Sequence, residues 1–249
     1  MAVVTGASRG IGGSIAVAFA REGAQVVGVA RSSQDDIRAE AGERYHAMAA
    51  DLGNASPAEL DALVADVVGR FGRIDVLVNN AGIIRRAPAV EFSQQDWDDV
   101  IRVNLTSPFF LTQGVARWWL KGGGRDRAGA EDRLRIVNIA SLLSFQGGIL
   151  VPAYAASKHG IAGVTKALAN EWAKERINVN AIAPGYIATE NTRPLREDAT
   201  RNAAILGRIP QGGWGQPDDI SGTCLFLASR DADYLNGAIL NVDGGWLAR

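Results

Sequence analysis

Three polar residues have the types and spacing needed to move a proton. Tyr154 and Lys158 stand four residues apart in a helical stretch, so the lysine ammonium should lie beside the tyrosine phenol. A neighbouring cation favours the phenolate and is expected to lower the tyrosine pKa toward the value that a general acid or base needs. Ser141 ends the preceding strand and could donate to an oxygen that gains charge. These residues predict acid–base chemistry on a carbonyl or hydroxyl group.

Asn104 is a fourth candidate because of the proline that follows it. Pro108 has no backbone N–H, so it cannot bond the carbonyl of residue 104 as an ordinary helix would require. The freed carbonyl could hold an ordered water behind Lys158 and give a proton path to solvent. The alternative is a helix that simply breaks there. The predicted catalytic residues are Asn104, Ser141, Tyr154 and Lys158.

A glycine-rich turn follows the first apolar strand. Glycines at this junction allow backbone N–H groups to approach a pyrophosphate at the N-terminus of the next helix. The spacing G-x-x-x-G-x-G differs from the general dinucleotide fingerprint G-x-G-x-x-G. The turn predicts a dinucleotide site, with contacts at Gly6, Ser8, Arg9, Gly10, Ile11 and Gly12.

The end of the second strand indicates which dinucleotide is preferred. This position reads the 2′ substituent of the adenosine ribose, and a carboxylate there would repel a phosphate. The sequence instead has Arg31 and Ser32, and Arg31 can pair with a 2′-phosphate, helped by Arg9. We therefore predict NADP(H) as the preferred cofactor, with NAD(H) possible. Asp51 and Leu52 follow the third strand, where Asp51 is placed to accept from the adenine amino group.

Short β-branched runs alternate with helical stretches along the whole chain. This alternation predicts an α/β fold, a single Rossmann-type domain over residues 1–249 with a doubly wound parallel sheet and helices on both faces. Two stretches interrupt the pattern: residues 121–132 predict an exposed loop, and residues 185–217 a long substrate loop. The predicted strands include 1–5, 25–29, 74–78, 135–139, 178–183 and 238–242, and the predicted helices include 11–22, 59–71, 154–175, 217–228 and one that Ser93 caps and that runs through residue 104.

Composition excludes several classes of protein. A net charge of −1, with 26 basic and 27 acidic residues, gives no sign of binding to nucleic acid or to an anionic membrane. No apolar run is long enough to span a bilayer, so we expect a cytoplasmic protein. Cys224 is expected to pack in a helix face, and two histidines, His46 and His159, make a zinc site improbable.

These motifs together resemble the short-chain dehydrogenase/reductase family over nearly the whole chain. The resemblance rests on residues 5–12, residues 79–82, the four catalytic candidates and Pro184-Gly185. It implies that the four candidates form the family's catalytic tetrad, and that hydride passes between nicotinamide C4 and a carbonyl carbon while Tyr154 moves the proton. It also implies a homotetramer or dimer. Further cofactor contacts that it implies are Asn79, Ala81, Gly82, Tyr154, Lys158, Pro184, Gly185, Ile187 and Thr189.

Other segments are similar to the group of that family that acts on 2-dehydro-3-deoxy-D-gluconate. These segments are residues 84–86, 144–148, 170–173 and 243–249, and the similarity implies a keto-deoxy sugar acid as substrate. The match departs at Arg31, since that group is often NAD-linked. The predicted substrate contacts are Arg85, Arg86, Ser141, Gln146 and Tyr154.

Arg85 or Arg86 could form a bidentate hydrogen bond to a carboxylate, and Gln146 could bond a hydroxyl group. The alternative for Arg85 and Arg86 is a surface or subunit contact. Trp246 and Arg249 are expected to reach the site of a neighbouring subunit.

Two other functions stay open at this point. A 3-oxoacyl-carrier-protein reductase shares the same general motifs, and Arg125, Arg127 and Arg133 could provide the basic surface that an acidic carrier protein needs. A non-catalytic dinucleotide-binding sensor would keep the glycine turn but would not need Ser141, Tyr154 and Lys158.

Overall fold

The computed structural model describes residues 1–124 and 132–248. A seven-stranded sheet runs through this part of the chain, with strand order β3-β2-β1-β4-β5-β6-β7. Every neighbouring pair of strands is parallel, which confirms the predicted doubly wound sheet. The strands are β1 Ala2–Thr5, β2 Val26–Ala30, β3 Tyr45–Ala49, β4 Val76–Asn79, β5 Leu134–Ile139, β6 Ile177–Pro184 and β7 Ile239–Val242.

Helices cover both faces of the sheet, because alternate residues of each strand point to opposite sides and both sides are apolar. Val4 packs in the core that α1 and α9 cover, whereas Val3 packs in the core that α3, α5 and α6 cover. Within the described residues the α-helices are α1 Gly10–Arg21, α2 Asp35–Ala41, α3 Pro57–Phe71, α4 Gln94–Ile101, α5 Ser107–Trp118, α6 Pro152–Trp172, α7 Arg193–Glu197, α8 Ala199–Leu206 and α9 Asp218–Ala228.

Helix starts follow local capping chemistry. The predicted Ser93 cap is confirmed, since its hydroxyl accepts from the backbone N–H of Asp96 at 3.1 Å. Ser56 and Glu59 form a capping box, so α3 begins at residue 57 rather than at residue 59. Helix α6 begins at Pro152, which places Tyr154 in its first turn.

The predicted continuous helix from Ser93 through residue 104 is wrong in one respect. The α-helix ends at Ile101, and Arg102–Thr106 is a π-helical turn in which Ser107 donates its N–H to the carbonyl of Arg102. Pro108 explains this change, because a residue without an N–H cannot continue the ordinary ladder. The chain then resumes an α-helix at residue 107.

The predicted long loop over residues 185–217 is also corrected. It contains α7 and α8, and Asp198 caps α8 by accepting from the N–H of Arg201 at 3.0 Å. Both helices are short and have few buried residues, so they leave no apolar stripe for sequence analysis to detect. We call residues 185–217 the substrate segment below.

The predicted loop over residues 121–132 is only partly described. Trp119–Gly123 is a π-helical turn that extends α5, so the first residues of that stretch are not loop. Arg125 and Arg127 lie outside the described residues, whereas Arg133 pairs with Asp233 at 3.6 Å.

Two expected features of the fold can be compared with the described residues. Cys224 is fully buried beside α1, and burial raises the pKa of its thiol, which agrees with a packed side chain. Across the described part of the chain, no helix has the length and hydropathy needed to cross a membrane. The same part of the chain has no cluster of three or more metal-ligating side chains.

Candidate active site

A cavity of about 770 Å³ opens at the carboxyl ends of the strands. It lies where the strand order reverses between β1 and β4, the position at which doubly wound sheets bind ligands. Its size lies within the usual range for cofactor sites. The predicted residues that line it are Gly6, Ser8, Arg9, Gly10, Ile11, Arg31, Ser32, Asp51, Leu52, Ala81, Gly82, Arg85, Ser141, Tyr154, Lys158, Pro184, Gly185, Ile187 and Thr189.

The glycine turn forms the floor of this cavity at one end. Gly6 and Gly10 have φ values of +66° and +57°, which residues with a side chain rarely adopt. A Cβ on Gly12 would lie 2.4 Å from the carbonyl oxygen of Gly6, so Gly12 serves close packing rather than lining the cavity. Asn80 closes the turn by donating to the carbonyls of Thr5 and Gly6 at 2.9 and 3.2 Å.

A basic corner lies beyond the glycine turn. Arg31 is exposed and its nearest acidic partner, Asp51, is 3.7 Å away. The hydroxyls of Ser8 and Ser32 lie 3.3 Å apart at the same corner. Asp51 is held by its own turn, where it accepts from the backbone of Gly53 at 3.0 Å. This arrangement leaves cationic and hydroxyl donors facing the end of β2.

The predicted catalytic pair lies at the other end of the cavity. The Lys158 ammonium is 5.5 Å from the centre of the Tyr154 ring, and it donates to the carbonyl of Ile139 at 2.6 Å. Lys158 is buried, and burial lowers its pKa to about 8. The Ser141 hydroxyl accepts from the N–H of Leu143 at 3.2 Å and lies near enough to the Tyr154 hydroxyl to favour its ionised form. The two hydroxyls and the ammonium therefore form one cluster.

The predicted lowering of the Tyr154 pKa is wrong for the chain without ligands. Removal from water raises the pKa of this phenol above its usual value, because burial disfavours the phenolate. The Ser141 hydroxyl and the charge of Arg86 act in the opposite direction but do not cancel the effect. Lys158 does not reverse it, since its ammonium bonds the Ile139 carbonyl instead of the phenol.

Two predicted site residues lie behind the cavity wall. Asn104 is buried, and its amide accepts from the N–H of Ile83 at 2.9 Å and donates to Ser157 at 3.1 Å. Asn79 is buried below the site, and its amide donates to Thr112 and Asn138. Neither side chain reaches the cavity, so both hold the elements that carry the lining residues.

The neighbouring arginines have different surroundings. Arg85 pairs with Asp96 at 3.1 Å and with Asp99 at 3.8 Å, so its charge is matched by α4 although it lines the cavity. Arg86 is exposed, lies outside the cavity lining and donates to the carbonyl of Asn191 at 3.0 Å. Burial lowers the pKa of Arg86, the charge of Tyr154 raises it and Arg201 lowers it again. Arg86 is therefore the arginine whose charge faces Tyr154.

An aromatic cluster closes the substrate side. The Tyr186 ring centre lies 5.4 Å from that of Trp214 and 4.7 Å from that of Trp246. Trp246 donates to the Gln146 carbonyl at 3.4 Å, and Arg208 lies over its ring. The expectation that Trp246 reaches another subunit is therefore corrected, because this side chain is buried in its own chain; Arg249 lies outside the described residues.

Sequence analysis missed several residues at this end. Arg196 and Asn191 of the substrate segment line the cavity, and Arg201 interacts with Arg86. No periodic pattern or motif marks them, because the fold brings them to the site from a stretch without an apolar stripe. His159 lies on the outer side of α6, bonded to the carbonyl of Ala155, as expected for a structural residue.

Comparison with known proteins identifies the family. A family model described as enoyl-(acyl carrier protein) reductase matches residues 6–247. The chain belongs to the short-chain dehydrogenase/reductase family. Membership makes it an NAD(P)-dependent oxidoreductase, and the predicted resemblance to this family is confirmed.

Several relatives in this family share half of the sequence. The 2-dehydro-3-deoxy-D-gluconate 5-dehydrogenase of Dickeya dadantii is 49% identical, with 100% of this chain and 96% of the relative covered. The enzyme of the same name from Escherichia coli is 50% identical, with the same coverage. A crystal structure from Agrobacterium tumefaciens, provisionally assigned as a 2-deoxy-D-gluconate 3-dehydrogenase and holding NADP, is 53% identical with a TM-score of 0.86; it covers 100% of this chain and 96% of its own.

Proposed function

We propose that this short-chain dehydrogenase transfers hydride between NADP(H) and a keto-deoxy sugar acid of the 2-dehydro-3-deoxy-D-gluconate type. The observation that carries the proposal is the meeting of Ser141, Tyr154 and Lys158 in the cavity wall, with the charge of Arg86 acting on the Tyr154 phenol. The first three serve the reacting oxygen, and the arginine gives a carboxylate partner beside it. Relatives named for this substrate support the assignment.

The cofactor end supports NADP(H) over NAD(H). Arg9, Arg31 and the hydroxyls of Ser8 and Ser32 surround the position of a 2′-phosphate, and Arg31 has only a 3.7 Å contact with Asp51 to compete with it. The related Agrobacterium tumefaciens structure holds NADP. Gly10 lines the cavity at the start of α1, where backbone N–H groups can bind a pyrophosphate.

The chain's own residues move the proton. In alcohol oxidation Tyr154 takes the hydroxyl proton while Ser141 holds the same oxygen by a hydrogen bond. An oxidised nicotinamide in the cavity would supply the hydride acceptor, and its positive charge would act against the rise of the Tyr154 pKa that burial causes. Lys158 keeps a cation 5.5 Å from the phenol ring and stabilises the charge that forms on it.

The sugar-acid carboxylate binds Arg86, with Arg201 as a second cation nearby. Loss of water contact and repulsion by Arg201 both disfavour the Arg86 cation in the free protein, and an anionic substrate offsets the repulsion. Gln146 offers its amide N–H groups to a substrate hydroxyl, since its carbonyl already accepts from Trp246. We also propose one domain over residues 1–249 and a cytoplasmic homotetramer, both supported by family resemblance alone.

A substrate panel tests the proposal. Purified protein is assayed by NADPH absorbance with 2-dehydro-3-deoxy-D-gluconate and NADP⁺ or NAD⁺, and with acetoacetyl thioesters and NADPH. We expect the highest kcat/KM for the sugar acid with NADP⁺. A higher kcat/KM for the thioester would indicate a carrier-protein reductase instead, and tight dinucleotide binding without turnover of any substrate would indicate a sensor.

A further inference from the structure

Arg196 is a cation in the cavity wall whose hydrogen bonding is incomplete. It lies on α7, and one terminal nitrogen donates to the carbonyl of Thr189 at 3.1 Å. Its Nε is shielded from solvent and has no hydrogen-bond partner among the described residues. No ion pair joins Arg196 to an acidic residue that the structure describes. A buried donor on a charged group without a partner is costly, so this position is suited to a ligand that accepts hydrogen bonds.

The contact with Thr189 fixes where this guanidinium lies. The Thr189 methyl packs against Gly10, 3.6 Å from the place of a Cβ on that glycine. Gly10 begins α1, whose first N–H groups and positive dipole end face the cavity. Thr189 therefore lies between Arg196 and the N-terminus of α1, which is the place where this fold binds the phosphates of a dinucleotide.

The other charges of this short helix are already matched. Arg193 pairs with Glu190 at 3.4 Å and with Glu197 at 3.8 Å. Thr192 donates to the carbonyl of Ile187 at 2.7 Å, which ties the start of α7 to the cavity wall. Glu190, which also lines the cavity, is therefore paired with Arg193 rather than with Arg196.

We propose that Arg196 binds the pyrophosphate of the dinucleotide and thereby couples cofactor binding to the position of α7 and α8. This inference rests on the dinucleotide part of the proposed function. The pyrophosphate accepts from Nε and the free terminal nitrogen, while the bond to the Thr189 carbonyl stays in place. Because α8 carries Arg201, cofactor binding then fixes one side of the substrate pocket before the substrate enters.

Affinity for two dinucleotides tests this role without any turnover. The Kd values of NADPH and NADH are measured by nicotinamide fluorescence for wild type, Arg196→Ala, Arg31→Ala and Arg193→Ala. Both dinucleotides have a pyrophosphate, so Arg196→Ala should raise both Kd values by roughly ten- to a hundredfold. Arg31→Ala should raise the Kd of NADPH alone. Arg193→Ala removes a cation of the same helix that does not line the cavity, and it should leave both Kd values unchanged.

The coupling has its own readout. Hydrogen exchange over residues 190–206 should slow when NADPH is added to wild type and should slow much less in Arg196→Ala. If that variant does not fold, Arg196→Gln, which retains a donor for the Thr189 carbonyl, carries the same comparison. Unchanged Kd values, or a loss confined to NADPH, would overturn the inference. If wild type itself bound neither dinucleotide, the proposed function would fail instead.

Discussion

The two ends of the cavity are built in different ways. At the cofactor end the chain's backbone forms the site, and Asn80 locks it by bonding the carbonyls of Thr5 and Gly6. At the substrate end the site consists of long side chains from distant segments, such as Arg86 bonded to Asn191 and Trp214 bonded to Asn202. A backbone site has little freedom to change, whereas a side-chain site can alter its specificity without altering the fold.

The catalytic group between the two ends should show the largest effect. Replacing Tyr154 by Phe removes the group that moves the proton, and we expect kcat to fall by about 10²- to 10⁴-fold. The Kd of NADPH should stay near the wild-type value, because the phenol hydroxyl is not needed to hold the dinucleotide. Tyr234→Phe is the matched control, since Tyr234 is fully exposed and does not line the cavity. Wild-type kcat in Tyr154→Phe would remove Tyr154 from the mechanism.

Lys158 should change how the free energy of unfolding depends on pH. Its pKa falls from 10.5 to about 8 on folding, so the unfolded chain holds a proton that the folded chain has released between these values. Relative to Lys158→Met, wild-type stability should therefore rise with pH across this window, by on the order of 3 kcal/mol, while the buried Cys224 thiol acts in the opposite direction in both proteins. Lys158→Met should lack this rise. Denaturant unfolding at pH 7, 8, 9 and 10 measures both slopes, and equal slopes would show that Lys158 is not held as a destabilised cation.

Gly12→Ala and Gly213→Ala should have different effects, because Gly12 lies in the backbone-built cofactor end and Gly213 in the substrate segment. A Cβ on Gly12 would meet the backbone of Gly6 at 2.4 Å, which we expect to cost about 1–3 kcal/mol of unfolding free energy and to weaken dinucleotide binding. Gly213 of the substrate segment has no atom within 4 Å of its Cβ position. Gly213→Ala should leave stability and the Kd of NADPH unchanged. Similar losses in the two variants would contradict the contrast between the two ends.

The neighbouring residues Arg85 and Arg86 give the comparison with the smallest expected effects. Arg86→Ala should raise the KM of the sugar acid by about ten- to a hundredfold and leave the KM of NADP⁺ unchanged. Arg85→Ala should change the substrate KM by less than about threefold, because an exposed pair with Asp96 contributes little. Steady-state kinetics with both variants measures this difference. An equal or larger effect in Arg85→Ala would move the carboxylate to the other arginine.

Sequence predicted the cofactor end well because its signals are local. The glycine turn, the Ser93 cap and the apolar strands are set by neighbouring residues, and the structure contains each of them. The capping box of Ser56 and Glu59 and the cap at Asp198 had sequence signals of the same kind, yet we did not predict them.

The substrate end could not be predicted because it depends on the tertiary fold. Nothing near Arg86 in the sequence indicates that its partner is Asn191, and nothing near Arg196 indicates that it lines the same cavity as the glycine turn. The direction of the Tyr154 pKa shift was missed for the same reason, since burial depends on the assembled cavity rather than on the spacing to Lys158.

Isotope transfer tests the central claim most directly. Wild-type protein is given NADP⁺ and 2-dehydro-3-deoxy-D-gluconate that has deuterium at C5, and the mass of the NADPH formed is measured by mass spectrometry. Direct hydride transfer predicts NADPH that has gained the deuterium, with the C5 hydroxyl proton passing to Tyr154, and formation of labelled NADPH about 10²- to 10⁴-fold more slowly in Tyr154→Phe. Unlabelled NADPH from wild type, or deuterium found only in the solvent, would contradict the account.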